Sequence, residues 1–207
     1  VNYLAHIFLA GPEPEAQLGG LLGDFTKPFS GMSFGATAER EILIHRRIDS
    51  FTDAHPIVLA AKARFSPRAR RFSGLVLDLL YDHFLADHWS EYCDLDLRRY
   101  IDRFCITLLN PPFVLPERLS KLAPALASED WLGSYAEYGG FERAVKRLSL
   151  RLSKGAEQML EGLTDVRRHL SAFEAGFQSF FPELQSYVQR KREELAVIST
   201  ALYGEPH

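Results

Sequence analysis

The chain has 207 residues, 46% hydrophobic and 25% charged, with a formal net charge of −3. That length suits one sizeable hydrophobic core, and the near-balanced charge gives no global reason to expect nucleic acid or a membrane surface as partner. The two cysteines, Cys93 and Cys105, form no Cys-x-x-Cys pair, so a zinc ribbon or thioredoxin-type site is excluded and reduced thiols are expected. No apolar run reaches the roughly 20 residues of a bilayer span, and no secretory-type segment opens the chain. A cytoplasmic location is expected.

The predicted elements run as follows. Val1–Ala10 reads as a short helix carrying His6, broken by "GPEPEA". The Gly-rich stretch from Gln17 to Gly31 is a short apolar helix or loop that presents Asp24. Ala38–Ala54 is a strong helix, stopped at His55–Pro56. Pro56 opens the next helix, through about Arg64. Pro67 is expected to open another. The segment "LDLLYDHFLADHW" (Leu77–Trp89) follows as a helix extending toward Cys93. Asp94–Asn110 is amphipathic; Leu115–Ala127 and Trp131–Tyr138 look like short helices. Phe141–Leu152 is basic, with Arg143, Lys146, Arg147 and Arg151 on one side. Thr164–Tyr203 is helical with an interruption expected at Pro182. Strand-like alternation is absent. The expected fold is all-α, a single multi-helix domain over residues 1–207.

Two helices carry chemistry. In "REILIHRRIDSFTDAHP", His45, Asp49 and Asp53 fall four residues apart, on one face beside Ile44, Ile48 and Phe51. In "LDLLYDHFLADHW", Asp78, Asp82 and His83 interrupt an almost wholly apolar segment. Burying a carboxylate without a partner is costly. Two such helices facing one another, with Asp24 nearby, would pair their charges through a divalent cation. Carboxylate and imidazole ligands suit Mn, Fe or Zn, and Mg where carboxylates dominate. Structural alternatives stay open: a His45–Asp49 surface hydrogen bond, an Asp78 ion pair with Arg46 or Arg47, and a core role for His6. Asp87 and His88 read as helix-end residues. A di-iron bundle is disfavoured because no Glu-x-x-His occurs.

Four stretches in order, "VNYLAHIFLA", "GGLLGDF", "HRRIDSFTDAHP" and "LDLLYDHFLADHW", resemble the acyl carrier protein phosphodiesterases. The resemblance is densest from Val1 to Trp89. It implies an all-helical fold distantly like the HD-domain phosphohydrolases, and a divalent metal, Mn first, with Mg or Fe as alternatives. It implies hydrolysis of the phosphodiester that joins 4′-phosphopantetheine to a serine of acyl carrier protein. This sequence departs from the HD pattern: it has Asp82–His83 and Asp87–His88, in reversed order, and no His-Asp dipeptide.

On this reading Asp24, His45, Asp82 and His83 hold the metal, with Asp49 and Asp78 as ligands or orienters. A metal-activated water attacks phosphorus. Arg46 or Arg47 offsets charge on the phosphoryl oxygens, and Asp53 or His6 moves the proton. The partner is an acidic protein, so a basic face is required. Arg64, Arg68, Arg70 and Arg71 are the first candidate face, and Arg143–Arg151 the second. Two rival functions remain: an HD-type phosphohydrolase acting on nucleotides, and a non-catalytic module that binds acyl carrier protein.

Overall fold

The computed structural model describes residues 1–27 and 31–203, with side chains as far as residue 196. Among the described residues all regular structure is helical. The helices are α1 (Tyr3–Leu9), α2 (Pro14–Leu22), α3 (Ala36–Ala54), α4 (Pro56–Ala63), α5 (Ser73–Asp87), α6 (Leu97–Leu109), α7 (Glu117–Ser128), α8 (Tyr138–Ser149) and α9 (Ala156–Tyr203). Pro14 and Pro56 occupy first-turn positions, where a missing N–H costs nothing. The α3 boundary at His55 follows from the proline after it.

Helix α5 runs through the middle. Leu77, Leu80, Tyr81, Phe84 and Leu85 are each at most 2% exposed, and α5 packs against α1, α8 and α9. Its apolar circumference is what a central helix requires. From α9, Phe173, Phe177, Phe180 and Phe181 fill the same core.

Three expectations are corrected. Pro67 does not open a helix: the segment turns as a short 3₁₀ element, Arg70–Phe72. The Ser66 N–H donates to Asp165 (3.0 Å) and the Arg70 guanidinium donates to the carbonyls of Ala63 and Phe65, so side chains hold the bend. Trp131–Tyr138 is likewise a 3₁₀ turn at Gly133–Ala136. The interruption expected at Pro182 lies at His169 (φ −120°, ψ 19°). The helix continues through Pro182, where its fully buried neighbours Phe180, Phe181 and Leu184 hold it in register; packing overrides local propensity.

Two buried carboxylates tie the elements together. Glu41 of α3 is 1% exposed and receives the Arg192 guanidinium at 2.8 and 3.1 Å, while Arg192 also donates to the Leu9 carbonyl. Asp82 of α5 is fully buried. It accepts the N–H groups of Asn2, Leu4 and Ala5 at 2.8–3.1 Å. These are the orphan donors at the start of α1, so a carboxylate from another helix supplies the cap that Asn2 does not. Burial pushes the Asp82 carboxyl up to about 7, and the three N–H groups pull it the other way.

Asp82→Ala should therefore leave several buried N–H groups unpaired and lower the unfolding free energy by about 2–3 kcal/mol. Urea denaturation followed by circular dichroism measures it. A change below ~0.5 kcal/mol, the level of an ordinary surface substitution, would contradict the capping role.

Candidate active site

The site forms where α1, α3 and the turn after α2 meet. His45 on α3 and His6 on α1 are 2% and 3% exposed, and their rings stack with centroids 3.7 Å apart. His45 Nδ1 lies 2.7 Å from the Gly20 carbonyl, which can only accept, so this nitrogen carries a proton. Nε2 of His45 is then turned toward Asp49 (3.3 Å) and Asp24 (3.8 Å). Nε2 of His6 approaches the other Asp49 oxygen at 3.2 Å. Two imidazoles and two carboxylates converge, with the carboxylates on the open side: Asp24 and Asp49 side chains are 41% and 49% exposed.

The electrostatics follow from this layout. Burial, then the neighbouring His45, drives His6 down to about 3, so its imidazole is neutral near pH 7. His45 is raised: burial opposes its charge, but Asp49, Asp24 and the Gly20 carbonyl outweigh it. Asp49 is held far below the usual carboxylate range by the two imidazoles, against the effect of its own burial. Asp24 is raised by burial and by the charges of Asp49 and Asp78, with His45 and Arg118 opposing.

These residues fit a divalent cation. His6, His45 and Asp49 each offer a ligand atom within 4.8 Å of the others, and Asp24 stands beside them, 3.8 Å from His45 Nε2. Two imidazole nitrogens plus carboxylate oxygens suit Mn, Fe or Zn. His6 Nδ1 is buried and has no partner among the described residues, so the ring's polar contact is on the Nε2 side, toward Asp49. The Gly20 carbonyl orients His45 as outer-shell partners of metal-binding histidines do.

The structure gathers Asp24, His45, Asp49 and His6. It arranges the other expected residues differently. Asp82 has both oxygens engaged by the α1 backbone. His83 points the other way, its Nδ1 donating to the Tyr135 carbonyl at 2.7 Å and its ring stacked on Phe141. The second imidazole of the cluster thus comes from α1 and not from α5. Asp78 accepts from the Val1 backbone nitrogen at 2.6 Å, with its side chain 39% exposed near the cluster's edge. Asp53 is bonded to Lys62 at 2.7 Å, outside the cluster. Arg46 is half-buried and Arg47 exposed, and neither makes an ion pair among the described residues.

The basic segment is partly occupied by structural contacts. Arg68 pairs with Glu161 (3.1 Å), Arg70 serves the backbone, and Arg71 lies over Phe72, while Arg64 sits exposed at the end of α4.

A family model described as acyl carrier protein phosphodiesterase matches residues 1–184. The chain belongs to the acyl carrier protein phosphodiesterase family. Among relatives bearing that name, the one from Pectobacterium atrosepticum is 33% identical over 93% of this chain and 100% of its own. Those from Yersinia enterocolitica and Serratia proteamaculans are each 31% identical, with the same coverage. No solved structure matches the chain. The family's activity makes this chain an enzyme. No described helix is long and apolar enough to cross a membrane.

Sequence reasoning passed over Gly23 and Arg118. A Cβ on Gly23 would lie 2.1 Å from His45 Cγ, so this glycine is the wall against which the ring rests. Its signal was the Gly-rich run before Asp24. Arg118, at the start of α7, lies over the Phe25 ring (5.1 Å), and its charge acts on Asp24 and Tyr3. Nothing in the sequence links it to that turn. Gly23→Ala should displace His45 and weaken any Mn binding at this cluster at least about tenfold, the usual scale for disturbing a ligand's support. Isothermal titration measures this, with helical content unchanged; unaltered Mn affinity would separate His45 from the cation.

Proposed function

We propose that this protein hydrolyses the phosphodiester of holo-acyl carrier protein, releasing 4′-phosphopantetheine and the apo-protein. Family membership over nearly the whole chain carries the reaction; the His6–His45–Asp24–Asp49 constellation carries the chemistry. We place it in the cytoplasm with its carrier-protein substrate.

His6, His45 and Asp49 would hold a divalent cation, Mn by preference. Such a cation polarises a phosphoryl oxygen and lowers the pKa of water near it. Asp24 stands at the mouth with its carboxyl above the ordinary range and takes the proton of the attacking water. Arg118 makes no ion pair among the described residues, and its guanidinium offsets charge on the non-bridging oxygens. The stacked rings and the apolar walls of α1 and α3 restrict water behind the reacting group.

The carrier protein needs a basic landing surface. Arg143 and Lys146 are exposed on α8, without ion pairs among the described residues; the same helix carries Arg147 over Trp131, and Arg151, just past its end, acts on Tyr3. This face serves better than Arg64–Arg71, where Arg68 and Arg70 already have partners.

Incubation of holo-acyl carrier protein with the enzyme and Mn should reduce its mass by one phosphopantetheine group in a mass spectrum. His6→Ala, His45→Ala and Asp49→Ala should lose bound metal and at least about 10³-fold in kcat/KM, whereas Asp24→Asn should keep metal and lose about 10²–10⁴-fold as a general base would. Hydrolysis of nucleotides with no action on the carrier protein would favour the rival phosphohydrolase. Metal-free variants with wild-type turnover would sink the site.

Raising salt from about 0.05 to 0.5 M should cut kcat/KM roughly tenfold or more, because exposed charges are screened. Arg143→Glu with Lys146→Glu should do so at low salt as well. A larger loss in Arg68→Glu with Arg71→Glu would move the landing surface to the other cluster.

A further inference from the structure

Beside the His/Asp cluster lies a second feature that the chemistry above does not use. A cavity of about 80 Å³ opens between α1, α5, α8 and the turn at Trp131. Tyr3 belongs to both places. Its ring is 6.0 Å from that of Phe25, next to Asp24, and it also lines the cavity. The Asp24 carboxylate and the Arg118 and Arg151 guanidiniums all act on its hydroxyl.

The lining divides into three parts. Leu79, Ala144 and Leu148 make an apolar floor. Asn2 and the buried Tyr135 supply an amide and a hydroxyl, joined to each other at 3.2 Å. Trp131 forms the outer wall, half-buried, with its Nε1 tied to Glu129 (2.8 Å) and the Arg147 guanidinium 4.3 Å above the ring. Arg151 lies 5.8 Å from the same ring, exposed and without an ion pair among the described residues.

We propose that this cavity receives the pantetheine arm of the substrate, with Trp131 as its packing wall and Arg151 as its anionic anchor beside the cleaved phosphate. The inference rests on the reaction proposed above. A folded surface cannot enter a cavity this narrow, but a slim chain lying along its open side can. Pantetheine alternates apolar and amide groups: a gem-dimethyl unit beside a hydroxyl, then two amides. The apolar floor and indole match the first, and Asn2 and Tyr135 match the second. The phosphate end must lie toward Asp24, and Tyr3 and Arg151 stand on that side. Docking the arm here leaves the serine and the carrier protein outside, over the exposed α8 face.

The protein has two tryptophans. Trp89 is 5% exposed and enclosed by Phe8 and Tyr100, so Trp131 is the one positioned to report an incoming arm. Titration with pantetheine and with 4′-phosphopantetheine should change the tryptophan emission, the phosphorylated form at lower concentration. Inorganic phosphate should leave emission unchanged. Trp131→Phe should abolish the signal yet keep binding, measured by calorimetry, within about threefold, since an aromatic wall remains. Trp131→Ala and Arg151→Gln should each weaken 4′-phosphopantetheine about tenfold and raise KM for holo-acyl carrier protein, with kcat changed less.

If the arm is released from holo-acyl carrier protein normally, but neither probe alters emission and both variants keep wild-type KM, the cavity assignment falls and the reaction stands. An equal response to inorganic phosphate also overturns it, making the cavity an anion site. If no arm is released under any divalent metal, the reaction falls and this assignment with it.

Discussion

A single buried carboxylate organises the active half of this molecule. Asp82 is fully enclosed, where an unpaired charge would cost several kcal/mol. Three N–H groups at the start of α1 supply the compensation, and the positive end of the helix adds to it. The exchange is mutual. A seven-residue helix is too short to be stable alone, and the bond to Asp82 fixes its position and rotation against α5. Tyr3 and His6 ride on that helix. Displacing α1 would remove an imidazole from the cluster and a wall from the adjoining cavity together.

The cluster shows how position divides labour among like groups. His6 and His45 are equally buried and stacked, yet their proton affinities are driven apart. His45 gains from Asp49, Asp24 and a backbone carbonyl, while His6 suffers from burial and from His45 itself. The two carboxylates are also separated. Asp49 bridges both rings and is held ionised, whereas Asp24, at the mouth, is raised. One set of side chains therefore combines a neutral imidazole, an imidazole that favours its proton, a fixed anion and a carboxyl raised above its ordinary value. Their supports are backbone features: the Gly20 carbonyl and the absent Cβ of Gly23.

Local spacing revealed part of this. Steps of four placed His45 and Asp49 on one face, and the structure keeps them at 3.3 Å. The Gly-rich run flagged the turn that presents Asp24. The same spacing argument also extended the stripe to Asp53, but helical drift and a nearby Lys62 take that residue out of the cluster. For Asp78, Asp82 and His83 the sequence signalled that buried polar groups needed partners. It could not say which. A capping carboxylate and a metal-binding carboxylate look alike on an apolar helix, since both satisfy the same demand for compensation.

Periodicity, proline positions and the lack of strand alternation determined the all-α class and most helix boundaries, because these depend on contacts within a few residues. The motifs, in their order, determined the family. Tertiary structure alone decided that α1, and not α5, supplies the second imidazole, that Asp82 caps a helix, and that Arg118 and Trp131 flank the site. Each of those facts pairs residues far apart in the chain, and such pairings are set by how helix faces pack around the shared core.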